Sequence, residues 1–409
     1  MRSEVSNQGP LTGITVVSLE QAVSAPLCTR TLADMGARVI KVENPHGGDF
    51  ARYYDDVVNG MAAHFVWLNR SKQSITLDLK TTAAQQVLGR LLQNADVFVT
   101  NLAPGATHRL GLDPDTLART HPHLVTCEIS GYGDDGPLSG KRAYDLLAQA
   151  ESGACSITGW PDAPAKPGPP MADSCTGLYA AISILASLQE RKDTGRGRSI
   201  SVSLFDTMVE LMGYPLTWSR YTGTDQHPVG LGSPAVAPYG AYRTVDGHTV
   251  ILGTTNDNEW RRLATNLLNR PDLAASERYR RGPDRVAHRD ELDAAIGAWC
   301  AENTLADIQD AADAAGIGNA RYNTTTDVVA HPHLAARDRW REVDSPVGPV
   351  VTPLPPPIIA GLDPVLGPIP GLGEHTDLVL EDLGLDESDI HALRRDGAFG
   401  PPRHADELH

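Results

Sequence analysis

The sequence predicts an α/β fold: a parallel sheet clothed by helices, with a smaller second domain. Three observations carry this. The chain opens on a buried strand, a helix and a second strand. The same alternation continues to about residue 221. Beyond that a loop rich in Gly, Pro and Ser leads into a hairpin and a run of helical segments. Alternating strands and helices pack as a parallel sheet covered on its faces.

Gly13 to Leu19 (GITVVSL) reads as the first buried strand. Pro26 to Gly36 follows as a helix, with Pro in its first turn and Gly as its stop. Arg38 to Glu43 is the second strand, and the Gly-containing loop Asn44–Asp49 lies at its C-terminal end, where open α/β sheets bind ligands. A strand over Ser74–Asp78, a helix over Thr81–Gln93 and a strand over Asp96–Thr100 come next. Asp113-Pro114 starts a short helix with a capping carboxylate and a first-turn Pro. Leu124–Ile129 is a strand, Ala143–Glu151 a helix, and Ser199–Ser203 a strand feeding a long helix, Leu204–Tyr221. Residues 240–253 alternate as a hairpin about Asp246-Gly247. The expected organisation is a large domain over 1–205, a linker helix over 206–224 and a small domain over 225–325. Residues 326–409, with Pro353–Pro357 as a stiff linker, return to the large domain.

The 409 residues are 41% hydrophobic, enough for a sizeable core, and carry a net charge of −16, which argues against a nucleic-acid partner. The five cysteines are widely spaced without a C-x-x-C pair, which speaks against a disulfide framework or zinc site and suits a reducing, cytoplasmic setting. The first ten residues lack the pattern of a signal peptide, and no run of about 18 apolar residues predicts a membrane span.

One stretch stands out: Pro170-Met171-Ala172-Asp173-Ser174-Cys175-Thr176-Gly177. Asp173 sits where a Pro/Gly-rich loop gives way to a helix from about Asp173 to Glu190, with apolar residues at Leu178, Ala181, Ile182, Leu185 and Leu188. A carboxylate there stands among N–H groups that lack intrahelical partners. Capping alone accounts for most such Asp residues; a reactive carboxylate is the other reading, and these residues by themselves leave both open.

Several apparent motifs fail their context. Gly131-Tyr132-Gly133-Asp134-Asp135-Gly136 matches G-x-G-x-x-G after a strand, but Pro137, Ser139 and Gly140 follow where a dinucleotide site needs a helix. It remains a candidate Gly-rich loop near a site. His121-Pro122-His123 and His331-Pro332-His333 lack the helix spacing of metal ligands, so no metal is expected. No G-x-S-x-G elbow supports a serine nucleophile.

Taken in order, the pieces resemble the family III CoA-transferases, the superfamily of formyl-CoA transferase, carnitine CoA-transferase and α-methylacyl-CoA racemase. The resemblance runs over nearly the whole chain. It rests on Leu32–Glu43 (LADMGARVIKVE), Gly48-Asp49, Asn69–Ser74 (NRSKQS), Asp96–Asn101 (DVFVTN) with Pro104-Gly105, Ser130–Gly133, Ala143–Asp145, Ala172–Gly177, Thr194–Gly197 and Gly373–Thr376. It implies a Rossmann-like large domain built from both chain ends, a smaller α+β domain and an interlocked homodimer. The implied reaction moves CoA from an acyl-CoA to a carboxylic acid, with a CoA thioester as substrate and no tightly bound cofactor. The implied nucleophile is Asp173, passing through mixed anhydrides and an aspartyl-CoA thioester.

Carried over position by position, the CoA contacts are Ala22, Val23, Lys41, Asn69, Lys72, Asn101, Leu102, Arg109 and Arg142. For Lys41 and Arg142 an ordinary surface charge is the plain alternative. Gly230-Leu231-Gly232-Ser233-Pro234 matches the family's active-site loop, with an interdomain linker as the alternative, and Gly230 and Gly232 are its candidate residues. Arg52 either faces the acid substrate or braces its loop. Formyl-CoA transferase has Val-Gln where this chain has Ala22-Val23, which argues against formyl-CoA and oxalate. That departure, with Ala237-Pro238-Tyr239, resembles the dicarboxylate-handling, succinyl-CoA-dependent branch. A racemase on the same fold is the competing activity, but racemases use a His where this chain has Tyr144. With an unperturbed pKa of about 10, Tyr is a poor proton shuttle at neutral pH. Tyr144 is therefore expected to orient the acyl group or Asp173.

Overall fold

The computed structural model describes residues 9–400. Its strands are β1 (Thr15–Leu19), β2 (Arg38–Glu43), β3 (Lys72–Thr76), β4 (Val97–Thr100), β5 (Val125–Ser130), the two-residue pair β6 and β7 (Gly159–Trp160, Ala163–Pro164), β8 (Ser199–Ser203), β9 (Tyr239–Arg243), β10 (Thr249–Gly253), β11 (Gly318–Arg321), β12 (Trp340–Val343) and β13 (Val350–Pro353). The helices that matter for the site are α1 (Ser24–Asp34), α2 (Ala63–Leu68), α3 (Thr82–Asn94), α4 (Ala106–Arg109), α5 (Pro114–Thr120), α6 (Asp145–Glu151), α7 (Met171–Thr194) and α8 (Leu204–Leu211). The fold is mixed α/β, as expected.

The chain divides into two compact units. The first takes residues up to Ser152, Gly168–Met212 and everything from Ala336 on; the second takes Gly153–Pro167 and Gly213–Ala335. The first holds a six-stranded sheet in the order β3-β2-β1-β4-β5-β8, parallel throughout. Successive residues of each strand point to opposite faces. Val17, Leu19, Ile40, Val42, Ile75 and Phe98 pack under α3, α5 and the helices of the C-terminal segment. Val16, Val39, Val97, Val99, Val125 and Cys127 pack under α1 and α7. Both faces are covered, which is why these strands read as unbroken apolar runs. Thr81 caps α3 by accepting from the Ala84 N–H, and Asp113 caps α5 by accepting from Thr116. The C-terminal segment is tied in by buried Arg70, whose guanidinium donates to both oxygens of Asp34 at 2.8 and 2.7 Å, to Thr352 Oγ1 at 2.7 Å and to the Pro353 carbonyl at 2.9 Å.

The second unit has an antiparallel sheet, β11-β10-β9, over a core of Val250, Leu252, Trp260, Leu263, Ile296 and Ile308. The hairpin turns at Asp246-Gly247, and the Asp246 carboxylate also accepts from the Leu305 N–H.

Two helices differ from the sequence reading. The helix expected over 204–221 is broken at Met212: α8 ends at Leu211 and a separate helix runs Gly213–Thr222. A Gly there costs helix stability relative to Ala. Helix α7 begins at Met171, two residues before Asp173, and ends at Gly195 in the left-handed conformation. Among the described helices, α7 alone is long and apolar enough to cross a membrane. Its burial of Ala180, Ala181, Ile184 and Leu188 in the sheet's second core accounts for that composition.

Candidate active site

The strand order reverses between β1 and β4: from β1 the chain steps to β2 on one side, and later elements continue from β4 on the other. Open parallel sheets bind ligands outside the carboxyl ends of such a pair. A cavity of about 690 Å³ lies there, lined among others by Gln21, Ala22 and Ser24 after β1, Asn101 and Leu102 after β4, Glu128–Gly131 at the end of β5, Lys141–Tyr144 before α6, and Asp173. All of these belong to the first unit.

The loops on either side are clasped together. The Gln21 N–H donates to Asn101 Oδ1 at 2.9 Å, and Asn101 Nδ2 returns a bond to the Gln21 carbonyl at 2.8 Å. Ala22 stands at φ +61°, a left-handed conformation that a non-glycine residue holds only when its surroundings over-determine it. Here the Ala22 N–H donates to Asp49 Oδ1 at 3.0 Å.

Asp49 belongs to a buried ionic network beneath this loop. Lys41 Nζ sits 2.7 Å from Asp49 Oδ2 and 3.3 Å from Glu20 Oε1, and Lys72 Nζ lies 2.6 Å from the same Glu20 oxygen. Glu43 takes Arg52 at 2.7 Å, the Asp49 N–H at 2.9 Å and the Ser74 hydroxyl at 2.5 Å. Three carboxylates thus face three cations, as a dry interior requires. Burial opposes the charge on Glu20, but Lys72 and Lys41 outweigh it and hold the carboxyl down to about 2.

The opposite wall is the start of α7. Gly177 lets α7 lie on the first turn of α1, since a Cβ there would come within 2.4 Å of the Ser24 carbonyl oxygen. Likewise a Cβ on Gly131 would come within 2.4 Å of the Ala143 Cβ, so its absence admits the Ala143-Tyr144 segment that leads into α6. Pro170 is the N-cap residue of α7 and supplies no side-chain cap. The cap comes from α6: Asp145 Oδ1 accepts the Ala172 N–H at 2.9 Å and the Asp173 N–H at 3.3 Å, while Gln149 Nε2 holds Asp145 Oδ2 at 2.7 Å. Asp173 is therefore not the cap. Burial, then the neighbouring Asp145 carboxylate, push its pKa up to about 7 against a hydrogen bond from the Ser24 side chain. A carboxyl poised there is half ionised at neutral pH and far more basic than an ordinary aspartate.

The structure brings Asp173, Tyr144, Ala22, Asn101, Leu102 and Arg142 together around the cavity. Tyr144 is 61% exposed and has its ring at the rim. Five other expected residues do not line it. Val23 is buried against Leu27 and Leu68. Asn69 is buried, with its Nδ2 on the Phe65 carbonyl and its Oδ1 receiving Lys72. Lys41 and Lys72 are fully enclosed in the ionic network, so neither is a surface charge and neither presents an ammonium to a phosphate. Arg109, at the end of α4, is exposed beside Gly105, outside the lining. Arg52 braces its loop: it clamps Glu43, donates to the Pro370 carbonyl at 3.3 Å and stacks 3.7 Å above the Phe65 ring. Gly230 and Gly232 lie in the second unit, where the Gly230 N–H donates to the Gly159 carbonyl at 2.7 Å and Arg289 gathers the carbonyls of Ser233 and Val236. No group of three or more potential metal ligands exists among the described residues.

Sequence reasoning missed Asp145, Gln149, Ser24 and Tyr54. Tyr54 feels the charges of both Asp49 and Asp173, and its hydroxyl is held above its ordinary pKa chiefly by burial. Asp145 had a visible signal: an acidic residue opening a helix.

Residues 11–376 match the description CoA-transferase family III. A succinate–glutarate CoA-transferase of Agrobacterium fabrum is 34% identical, with 91% of this chain and 96% of the relative covered. An acyl-CoA transferase of Fusarium pseudograminearum is 33% identical, with 97% and 90% covered. The crystal structure of a CaiB/BaiF family protein from Brucella suis superimposes with a TM-score of 0.80 at 33% identity, over 92% of this chain and all of that one.

Proposed function

The chain belongs to CoA-transferase family III, and from that premise we propose that it passes CoA from an acyl-CoA donor to a carboxylic acid through Asp173. The observation that carries this is the Asp173 carboxylate: it is on the cavity wall at the sheet's switch point, relieved of capping by Asp145 and raised to about 7. An Asp173 oxygen attacks the donor thioester carbonyl and CoA leaves as thiolate, giving a mixed anhydride. The thiolate attacks the aspartyl carbonyl of that anhydride, forming the aspartyl-CoA thioester and releasing the donor acid. The acceptor carboxylate reverses the sequence. No net proton moves in either half. Raising the nucleophile's basicity narrows the gap to the departing thiolate, whose free thiol titrates at about 8.5 in the cysteine reference.

Around that step, Tyr144 orients the acyl group, Arg142 with Asn101 and Leu102 binds CoA, and Arg109, exposed outside the lining beside Gly105, serves as a cation for its phosphates. The backbone at Ala22 borders the reacting carbonyl. Succinyl-CoA is the proposed donor and a dicarboxylic acid the acceptor. The Agrobacterium relative's name and the Ala237-Pro238-Tyr239 turn support that branch. An interlocked homodimer in the cytoplasm is the proposed working form, with Gly230 and Gly232 as the proposed active-site loop residues. Leu178, Tyr179 and Ile182 leave an apolar stripe exposed on α7, which suits a partner chain.

The test is Asp173→Asn with succinyl-CoA and a panel of dicarboxylic acids. Transfer should fall by orders of magnitude while CoA still binds. In the wild type, hydroxylamine added during turnover should mark Asp173 in peptide mass spectra. Transfer by the Asn variant at the wild-type rate would overturn the mechanism.

A further inference from the structure

Two carboxylates share the start of α7, and only one is needed to attack. Asp145 accepts three N–H groups: Ala172 at 2.9 Å, Asp173 at 3.3 Å and Gln149 Nε2 at 2.7 Å. An acceptor of three donors is in the role of an ionised carboxylate. Gln149 is wholly buried and its Oε1 has no hydrogen-bond partner, so its amide serves Asp145 alone. The negative charge is thus built in, one residue beyond Tyr144 and against the backbone of the reactive Asp. We propose that Asp145 is a positioning residue whose fixed charge disfavours free Asp173 carboxylate and so drives Asp173 into its neutral covalent states, the anhydride and the CoA thioester.

The argument is one of charge bookkeeping along the reaction. Free Asp173 is an anion beside an anion, at a cost that partial burial magnifies. Once its oxygen is acylated, or its carbonyl carries CoA sulfur, the side chain has no charge and that repulsion is gone. Asp145 keeps its three donors throughout, so the first turn of α7 stays capped and the Asp173 carbonyl stays aimed at the cavity.

The other groups around Asp173 do not supply this effect. Tyr144, just before α6, lines the same cavity, and Tyr54, after the Phe50–Tyr53 turn, feels the Asp173 charge. Helix α1 offers only the neutral Ser24. From α8, Asp206 is turned onto the Ser203 hydroxyl at 2.6 Å. Around the cavity stand His108, Asp113, Asp115, Glu128, Asp134, Lys141 and Arg142. Asp145, which holds the Asp173 N–H, is the charge that acts on Asp173.

The inference rests on the nucleophile reading, and the experiment separates the two. Wild-type protein and Asp145→Asn are equilibrated with succinyl-CoA and succinate, quenched in acid, and the fraction of Asp173 carrying CoA is read by intact mass. Asn keeps an acceptor for the helix cap but removes the charge. The expected result is about a tenfold lower ratio of thioester to free enzyme, with the acid limb of kcat/KM displaced downward by about one pH unit. Asp145→Ala, which loses cap and charge together, should lower kcat further at the same thermal stability penalty as any lost cap. A wild-type enzyme that never carries CoA on Asp173 would defeat the nucleophile reading itself. A loaded wild type matched by an equally loaded Asp145→Asn, with an unmoved pH profile, would defeat this inference alone.

Discussion

Replacing Asp173 by Asn should make the protein inactive and more stable, and the gain should depend on pH in a defined way. The folded-state pKa of about 7 stands above the reference value of 3.8. A carboxyl whose pKa is raised by folding favours the folded state while protonated. That contribution is intact below about pH 4 and is lost as the pH rises through 7. At pH 8 the wild type therefore bears a cost of up to about 4 kcal/mol, from roughly three units at 1.36 kcal/mol each. Partial exposure of the side chain screens the charge, so about half of that, ~2 kcal/mol, is the working expectation. Asn carries no charge at any pH and escapes the cost. With about 2.1 cal/mol/K of unfolding entropy per residue, a chain of this length gains about 1 °C per kcal/mol, so the Asn variant should melt roughly 2–3 °C above the wild type at pH 8. The two should converge near pH 4. Calorimetry of both proteins at pH 4, 6 and 8 reads this directly. An Asn variant no more stable than wild type at pH 8, or a gain that persists unchanged at pH 4, would refute the claim that Asp173 is held as a strained anion.

Two further outcomes follow from neighbouring residues. Tyr144→Phe should lower kcat several-fold with CoA affinity and stability preserved, because the exposed ring stays while its hydroxyl is lost; steady-state kinetics and calorimetry together check it, and abolished turnover with intact CoA binding would make Tyr144 an acid–base group. Lys41→Met should cost about 3–5 kcal/mol in urea unfolding, since it strands Asp49 and half of Glu20 without a counter-charge; a loss under 1 kcal/mol would show the network is not dry.

How much of this was legible in the sequence varies with the range of the interaction. The strands of the main sheet stood out because both faces are buried and their apolar runs are unbroken. Strand β2 was read to the residue, and Asp113-Pro114 announced its helix through local capping chemistry. Asp173 reads as a carboxylate at a helix start with capping and reactivity both open, and the structure removes capping because Asp145 takes the Ala172 and Asp173 N–H groups. The true cap, Asp145, lies 28 residues earlier in the chain, and no local pattern links the two. Lys41 and Lys72 show the same limit from the other side. Each looks like a cation available to phosphate until the fold sets Glu20 and Asp49 against it. The break at Met212 escaped because the apolar spacing runs straight through it, and tertiary packing decides where one helix stops.

The division of the chain into units has a consequence for biosynthesis. The backbone passes between them after Ser152, Pro167, Met212 and Ala335. Late ties of the large sheet, from Thr352 and Pro353 to Arg70, from the Gly373 N–H to Ser74 and from Arg38 to Asp382, span about 280–340 residues. A ribosome therefore releases the whole second unit before the first can close. Contacts of such separation are slow to form, and the unfinished sheet presents apolar faces to solvent meanwhile. Truncation from the C-terminal end should accordingly damage β2 and β3, which are among the first strands made but among the last to be secured.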